Sequence, residues 1–275
     1  MKLKILINYD YQYAPFTTAY YFEKALRRRG DCEVYRVGDG IDGKVDMVIN
    51  FMPCERFVRR AGALTVYWEG DSHVIQGSKH ELYNQADVIF HAQPTYFDRY
   101  PFSKTYVLLH AADPELHKPF PNEPKKYDVG FLGNDTYPER REFLDAIGKE
   151  FKLLRGTSEP GLPYSKKLSS CRCIFNHSYL RDINMRIFEA MSIGIPLLTD
   201  PVPHLGLVGN AGDHFFTYED KRALFFLIRY IIDNPSVSFA MGNRAREHVI
   251  KNHTYEKRVE QMLEVISPYL KGLRG

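Results

Sequence analysis

The stretch NHSYLRDINMRIFEAMSIGIP, residues 176–196, is the part of the chain that says most about its fold. It starts with polar and basic residues and continues as a short amphipathic helical pattern over residues 184–193, which stops at Gly194. Apolar runs typical of buried strands stand on either side, at residues 173–176 and 197–199. A strand, a polar loop, a helix and a second strand form the repeating unit of a parallel α/β sheet, in which the loop after a strand lies at the ligand-binding edge.

The same alternation of strands and helices continues along the whole chain. Further strands are predicted at residues 4–8, 32–37, 46–51, 64–68, 88–92, 106–110, 127–132 and 151–154, with helical patterns between them. Four prolines within residues 114–126 interrupt the alternation and indicate a linker. Of two long helices near the end, the first stops at Asn234-Pro235 and the second closes the chain. The sequence therefore predicts two α/β domains, residues 1–118 and 125–254, and a terminal helix over residues 255–275.

The composition is that of a globular protein with no obligatory nucleic-acid or membrane partner. The 275 residues are 44% hydrophobic and 26% charged, and the net charge of +3 comes from scattered basic residues. No apolar stretch approaches the roughly 20 residues that span a bilayer, and the first apolar run is too short for a signal peptide. Cys171 and Cys173 lack the second ligand pair of a zinc site. We expect a cytoplasmic protein with reduced cysteines and without stable membrane insertion.

Two residues of the predicted helix admit two interpretations. Arg186 and Glu189 are three positions apart, so they share one face of the helix and could form a surface ion pair. Alternatively, Arg186 neutralises a diphosphate bound at the loop, while Glu189 accepts hydrogen bonds from ribose hydroxyls. The residue types alone leave both interpretations open.

Four motifs of the chain resemble those of retaining glycosyltransferases with the GT-B fold, and in particular the spore-maturation CgeB-like branch. They are NMRIFEA at 184–190 followed by Gly194-Ile195-Pro196, DVGFLGN at 128–134 followed by Arg140-Arg141, HAADPEL at 110–116, and NHTYEKR at 252–258. They follow the family's order from about residue 110 onward. The resemblance implies two Rossmann-like domains facing across a cleft, with the terminal helix packing back towards the N-terminal domain. It further implies that the C-terminal domain holds a nucleotide-sugar donor and that the N-terminal domain presents the acceptor.

The resemblance also implies which residues bind the donor. Glu189 matches the glutamate that contacts the ribose, Gly133 and Asn134 match the glycine loop beside the diphosphate, and Tyr164 lies where similar enzymes enclose the base. The expected donor-binding residues are Gly133, Asn134, Arg140, Tyr164, His177, Asn184, Arg186 and Glu189. Simpler interpretations are a tight turn at Gly133-Asn134 and core packing of Tyr164.

One position departs from the pattern of this family. Many retaining relatives carry a second glutamate eight positions before the ribose-binding one, and this chain has Arg181 there, followed by Asp182. The departure leaves recognition of the donor sugar open. It also favours an altered donor or a loss of activity.

Catalytic candidates in the N-terminal half follow the strand predicted at 64–68. Asp71 and His73 lie in the sequence WEGDSH, residues 68–73, in a loop at a carboxyl edge, where they could orient an acceptor hydroxyl or accept its proton. Capping of the next helix by Asp71 and Ser72 explains the same residues equally well. His177 is the second candidate, although a lone histidine is more often structural.

The sequence predicts a retaining glycosyltransferase that moves a sugar from a nucleotide-sugar donor, expected to be a UDP-sugar. Neither a G-x-G-x-x-G after the first strand nor a P-loop motif occurs, which argues against a dehydrogenase and a phosphotransferase. No Asp-x-Asp pair follows a strand, so transfer without a metal or other cofactor is expected. The acceptor could be a protein, a glycan, a small molecule or a modified nucleic acid. A nucleotide-sugar epimerase on the same fold and a non-catalytic sugar-nucleotide or glycan-binding protein remain as alternatives.

Overall fold

The computed structural model describes residues 2–12, 16–41, 43–52, 56–71, 80–95 and 104–274. The chain divides into two compact units, each built on its own parallel sheet. The first unit comprises Met1–His110 together with Tyr255–Gly275, and the second unit comprises Ala111–Thr254. The predicted α/β class with two Rossmann-like domains is therefore confirmed.

In the described part of the first unit, six parallel strands form a sheet in the order β2-β1-β3-β4-β5-β6. The strands are β1 (Leu3–Asn8), β2 (Cys32–Arg36), β3 (Met47–Phe51), β4 (Leu64–Glu69), β5 (Val88–His91) and β6 (Thr105–Val107). Strands β3 and β4 are buried along their whole length, as expected for a parallel sheet with both faces covered. The helices of this unit are α1 (Thr18–Arg28), α2 (His80–Gln85) and α8 (Tyr255–Arg274).

The second unit contains five parallel strands in the order β11-β10-β9-β7-β8. The strands are β7 (Tyr127–Leu132), β8 (Leu153–Gly156), β9 (Cys171–Phe175), β10 (Leu197–Thr199) and β11 (Phe216–Thr217). The helices are α3 (Pro138–Glu150), α4 (Leu162–Ser169), α5 (Met185–Ile193), α6 (Lys221–Asp233) and α7 (Pro235–Asn252). Its core joins strand residues such as Phe131 and Phe175 to Leu144 of α3 and Leu224 of α6.

In each sheet, the strand that comes first in the chain lies inside the sheet, and the order in which later strands are added reverses beside it. The second strand along the chain lies on one side of it and the third lies on the other, so the reversal falls between β1 and β3 in one sheet and between β7 and β9 in the other. Ligands of doubly wound sheets bind in the crevice at the carboxyl ends of the two strands at such a point. The topology therefore marks one candidate crevice in each unit.

The terminal helix α8 belongs to the first unit, as the family resemblance implied. The ring of Tyr255 stacks on Tyr21 of α1 with centroids 5.0 Å apart. The buried side chain of Arg258 donates from Nε to the carbonyl oxygens of Leu109 and His110, at 3.0 and 3.2 Å. Burial lowers the pKa of Arg258 to about 10.

Residues 111–118, which the sequence analysis put at the end of the first domain, lie in the second unit. Three hydrogen bonds hold them there. The Ala112 amide donates to His253 O at 3.0 Å, and Ser165 Oγ and Ser192 Oγ donate to Leu116 O and His117 O at 2.7 and 2.6 Å. The predicted linker also packs on this unit, because Lys125 Nζ donates to Ser169 O and Cys171 O at 2.9 and 2.8 Å.

None of the helices in the described ranges is both long and apolar enough to cross a membrane.

Candidate donor site

The residues that the sequence analysis assigned to the donor come together at the reversal point of the second sheet. Gly133 and Asn134 directly follow β7, and His177 follows β9 closely. Asn184 is the N-cap residue of α5, and Arg186 and Glu189 lie on that helix. The loop after β9 and the start of α5 therefore lie at the carboxyl edge, where exposed helix N–H groups favour anions.

Arg186 connects the ends of the two strands. Its Nη1 donates to Asn176 Oδ1 at 3.0 Å and its Nη2 donates to Leu132 O at 3.3 Å. Its guanidinium carbon lies 4.3 Å from the ring centroid of Phe131. Within the described residues Arg186 forms no ion pair with Glu189, so the geometry departs from a simple surface pair.

Gly133 permits this position of Arg186. Its φ is +150°, a value that residues with a Cβ rarely adopt, and a Cβ added there would overlap Nη2 of Arg186. Both the backbone conformation and the close approach of the Arg186 guanidinium therefore favour glycine at this position.

Arg140 holds the two loops of the site together. Its side chain is buried, with 5% of the residue exposed. Nε donates to His177 O at 2.8 Å and Nη1 donates to Asn134 O at 2.7 Å. Burial lowers the pKa of Arg140, and the neighbouring Arg186 lowers it further. Arg140 was predicted to bind the donor, and its observed contacts are to the backbone of the donor loops.

We expect Arg140→Met to lower the free energy of unfolding by about 2–3 kcal/mol, because His177 O and Asn134 O lose a charged donor. The neighbouring Arg141 is exposed, and its Nε makes a long contact of 3.4 Å with Asp135 O. Arg141→Met is therefore the matched control, with an expected change within about 0.5 kcal/mol. Urea denaturation of both variants measures the difference, and equal losses would contradict the role given to Arg140.

Glu189 is half-buried and lies beside the buried residues His117 and Tyr164. His117 is 1% exposed, and its Nε2 lies 3.6 Å from Glu189 Oε1. The Asp113 amide donates to His117 Nδ1 at 3.1 Å, so the neutral ring carries its proton on Nε2, facing Glu189. Burial raises the pKa of Tyr164 well above its usual value, and the carboxylate of Glu189 raises it further. The ring of Tyr164 lies edge-on to that of His117, with centroids 6.2 Å apart. His117 is a site residue that the sequence did not predict.

His177 is packed between aromatic rings and hydrogen-bonded. Its ring lies 4.8 Å from Phe143, and its Nδ1 lies 3.1 Å from Tyr218 Oη. The hydroxyl of Tyr218 donates to Asn176 O at 2.7 Å, so the Nδ1–H of His177 donates to Tyr218. These contacts are those of a structural histidine at the edge of the site.

Three polar side-chain atoms in the loop and at the start of α5 are buried without a hydrogen-bond partner among the described residues. They are Ser178 Oγ, Asn184 Oδ1 and Arg186 Nε. Asn184 uses its amide nitrogen in a long contact of 3.4 Å with Asp182 Oδ1. Asn134 differs, because it is exposed and its Oδ1 accepts from the N and Oγ1 of Thr136 at 2.9 and 2.7 Å, as in a tight turn. Since buried polar atoms in proteins are nearly always paired, the three unpaired atoms indicate a place for a polar ligand.

The loop before α5 has a strained backbone. Leu180 and Arg181 are successive non-glycine residues with φ of 50° and 64°, a conformation that costs about 1–2 kcal/mol per residue. Asp182, with its Oδ1 accepting from the Tyr179 amide at 2.7 Å, holds the turn. Arg181, which occupies the position of the second family glutamate, is exposed.

The catalytic candidates of the first unit are only partly described. Asp71 is exposed directly after the strand β4, and its amide donates to Glu69 Oε1 at 3.0 Å. Glu69 is buried and also accepts from the hydroxyls of Tyr67 and Tyr83. His73 lies outside the described residues, so its relation to Asp71 stays a prediction.

Among the described residues, no group of three or more His, Cys, Asp and Glu side chains is placed to hold a metal ion.

Solved structures with a similar fold cover almost the whole chain. Sucrose-phosphate synthase from Thermosynechococcus elongatus is 12% identical with a TM-score of 0.66, and the match covers 99% of this chain and 100% of that one. Anabaena Alr3699/HepE in complex with UDP and glucose is 14% identical with a TM-score of 0.67, over 97% and 100% of the chains. T4 phage BGT in complex with its UDP-glucose substrate is 12% identical with a TM-score of 0.65, over 97% and 99%. These likenesses confirm the predicted GT-B fold.

No protein of curated function matches the sequence significantly. A family comparison does find a match, to the family described as glycosyl transferase-like, over residues 115–264. This range covers more than half of the chain and includes every residue of the candidate donor site except Asp113. The chain belongs to the glycosyl transferase-like family.

Proposed function

We propose that this protein transfers a sugar from a UDP-sugar to an acceptor hydroxyl, with retention of configuration at the anomeric carbon. The observation that carries the proposal is a pair of buried polar atoms at the start of α5, Asn184 Oδ1 and Arg186 Nε, which have no hydrogen-bond partner among the described residues. The guanidinium of Arg186 also lies close to Gly133. A cation there, close to a helix N-terminus, suits a diphosphate. UDP and a glucose donor in two structural neighbours support the choice of donor.

The residues of the site have separate roles in this proposal. Arg186 and the first N–H groups of α5 stabilise the charge that develops on the leaving diphosphate. Glu189 accepts hydrogen bonds from the ribose hydroxyls, and His117 and Tyr164 hold its carboxylate in position. Arg140 acts through the two loops that it joins. With cationic side chains in this role, we propose that transfer needs no metal ion. We also propose that the chain belongs to the CgeB-like branch of these enzymes.

In the proposed reaction the acceptor attacks on the face from which the diphosphate leaves. The bond between the anomeric carbon and the phosphate oxygen breaks, and a bond from the acceptor oxygen to that carbon forms. The acceptor proton passes to the leaving phosphate. Positioning of the two substrates and stabilisation of charge supply most of the rate.

A non-catalytic sugar-nucleotide-binding protein is the second candidate. It is favoured by Arg181, which stands where relatives have a sugar-binding glutamate and which is exposed at a φ of 64°. In this alternative the donor binds and is not consumed.

Thermal unfolding in the presence of UDP-, GDP-, ADP- and dTDP-sugars tests the proposed function. We expect UDP-sugars to raise the melting temperature, because a ligand at 100 times its Kd stabilises a protein by about 2.7 kcal/mol. Glu189→Gln is expected to lose most of this shift, because a neutral amide accepts ribose hydrogen bonds more weakly than a carboxylate. Glu247→Gln, at an exposed position of α7, is the matched control and should behave as the wild type.

Three outcomes separate the candidates in this experiment. A shift with UDP-sugars and slow release of free sugar supports the transferase. A shift without any turnover supports the binding protein. If no nucleotide shifts the melting temperature at millimolar concentration, the assignment of the donor site is wrong.

A further inference from the structure

A cavity of about 710 Å³ opens in the first unit at the other reversal point, between β1 and β3. It lies at the carboxyl ends of these strands, because its lining residues follow β1 and β3 in the chain. The lining includes Tyr9, Asp10, Tyr11, Arg56, Arg59 and Arg60, and we call the space the arginine cavity. Its volume falls within the range of about 300–1,000 Å³ that is typical of small-molecule sites.

Two buried asparagines fix the segment that carries the arginines. Asn8 on β1 and Asn50 on β3 are 7% and 0% exposed, and Asn8 Nδ2 donates to Asn50 Oδ1 at 2.7 Å. Asn8 Nδ2 also donates to Arg56 O at 2.6 Å. Asn50 accepts from the Val58 amide at 2.8 Å and donates to Val58 O at 3.0 Å. Paired polar side chains in a sheet interior hold a backbone in one position, so this segment is ordered before any ligand arrives.

The aromatic wall of the arginine cavity is also fixed. The hydroxyl of Tyr11 donates to Glu23, and the guanidinium of Arg36 lies 4.1 Å from the ring centroid of Tyr11. Tyr9 packs edge-on against Tyr11 with centroids 5.1 Å apart, and its hydroxyl is hydrogen-bonded to Thr17. Rigid aromatic faces of this kind pack well against the apolar face of a sugar or another ring.

The charge of the arginine cavity is positive. Arg56, Arg59 and Arg60 are exposed, and their side chains form no hydrogen bond or ion pair with any described residue. The described lining contains one carboxylate, Asp10, whose Oδ1 accepts from the Gln12 amide at 3.0 Å. Three arginines against one carboxylate attract an anion, and the planar guanidinium groups match the oxygens of a phosphate.

We propose that the arginine cavity is the acceptor site and that the acceptor is a small molecule carrying a phosphate group. The arginines bind the phosphate, and the tyrosine rings pack on the part of the acceptor that presents the hydroxyl. That the bound molecule is an acceptor rests on the proposed function. Binding of the phosphate group rests on the cavity alone.

Calorimetric titration of the full chain with glucose 6-phosphate, glucose and inorganic pyrophosphate tests this proposal. UDP is present in excess so that the donor site is filled. We expect both phosphate-bearing probes to bind at least about tenfold more tightly than glucose, since charge-assisted contacts to arginine are strong. The variant Arg56→Gln/Arg59→Gln/Arg60→Gln is expected to lose that preference. The control Arg222→Gln/Arg229→Gln/Arg244→Gln removes three exposed arginines of the second unit and should keep it.

The outcomes separate this proposal from the proposed function. If the two triple variants bind the probes equally, or if glucose binds as well as glucose 6-phosphate, the phosphate site is wrong. Tighter binding of a short single-stranded oligonucleotide than of glucose 6-phosphate, lost in the cavity variant, would overturn a small acceptor in favour of a polymer. A third outcome is that UDP does not bind, while pyrophosphate binding is lost in the arginine-cavity variant and kept in the control variant. The proposed function is then wrong and the anion site is correct.

Discussion

Replacement of Arg186 by glutamine is expected to lower kcat/KM for release of sugar from a UDP-sugar by about 10²–10³-fold, the cost typical of removing one group that stabilises transition-state charge. Arg186 is the cation that touches both strands of the reversal point, through Asn176 Oδ1 and Leu132 O. Glutamine keeps a hydrogen-bond donor and removes the charge. The loss should therefore fall on the step in which the diphosphate leaves.

Two further variants make this result specific. Arg186→Lys keeps the charge and loses the planar guanidinium, so its activity should lie between those of the wild type and Arg186→Gln. Arg244→Gln removes an exposed arginine of α7 and should leave kcat/KM unchanged. Thermal unfolding shows whether each variant is folded at the assay temperature. Activity of a folded Arg186→Gln within twofold of the wild type would mean that the diphosphate binds elsewhere.

Replacement of Gly133 by alanine is expected to weaken UDP binding by at least about tenfold, because the new Cβ overlaps Nη2 of Arg186 and displaces it from the site. The unusual φ of +150° adds a conformational cost of about 1–3 kcal/mol to the folded state. The measurement is the Kd of UDP together with the free energy of unfolding.

Gly156 at the end of β8 provides a closely matched control. Its φ is +152°, and an added Cβ would meet no atom within 4 Å. Gly156→Ala should therefore lose a similar amount of stability and keep the affinity for UDP. If both variants lose the same affinity for UDP, backbone strain explains the effect. The contact between Gly133 and Arg186 is then not the cause.

The sequence predicted four of the five strands of the second sheet, because a buried parallel strand is a short continuous apolar run between turn residues. The two-residue strand β11 (Phe216–Thr217) was not predicted. The strands predicted at residues 127–132 and 197–199 have these bounds in the structure. The sequence does not predict helix α7, because a proline after a helical pattern indicates only the end of that helix. Pro235 instead occupies the first turn of a new helix, where its missing N–H costs no hydrogen bond.

The contacts within the candidate donor site were harder to predict from sequence than its position. Residues of one motif, such as Asn184, Arg186 and Glu189, follow one another on a helix, so their placement at one edge could be predicted. The contact of Gly133 with Arg186 and the approach of His117 to Glu189 join segments that are distant in the chain. Packing alone determines such contacts. The sequence predicts that Arg140 binds the donor, because its contacts with distant segments cannot be predicted. In the structure its guanidinium donates to two backbone carbonyl groups.

Helix α8 follows the second unit in the chain but packs in the first unit, which determines the order in which the two units can fold during synthesis. The second unit, Ala111–Thr254, is continuous in sequence, so a ribosome can finish it before α8 is made. The first unit cannot be completed until α8 is made. The ring of Tyr255 covers Tyr21, and Arg258 binds the carbonyls of Leu109 and His110. Until then α1 exposes an apolar face, so the first unit closes only after the second unit has been made.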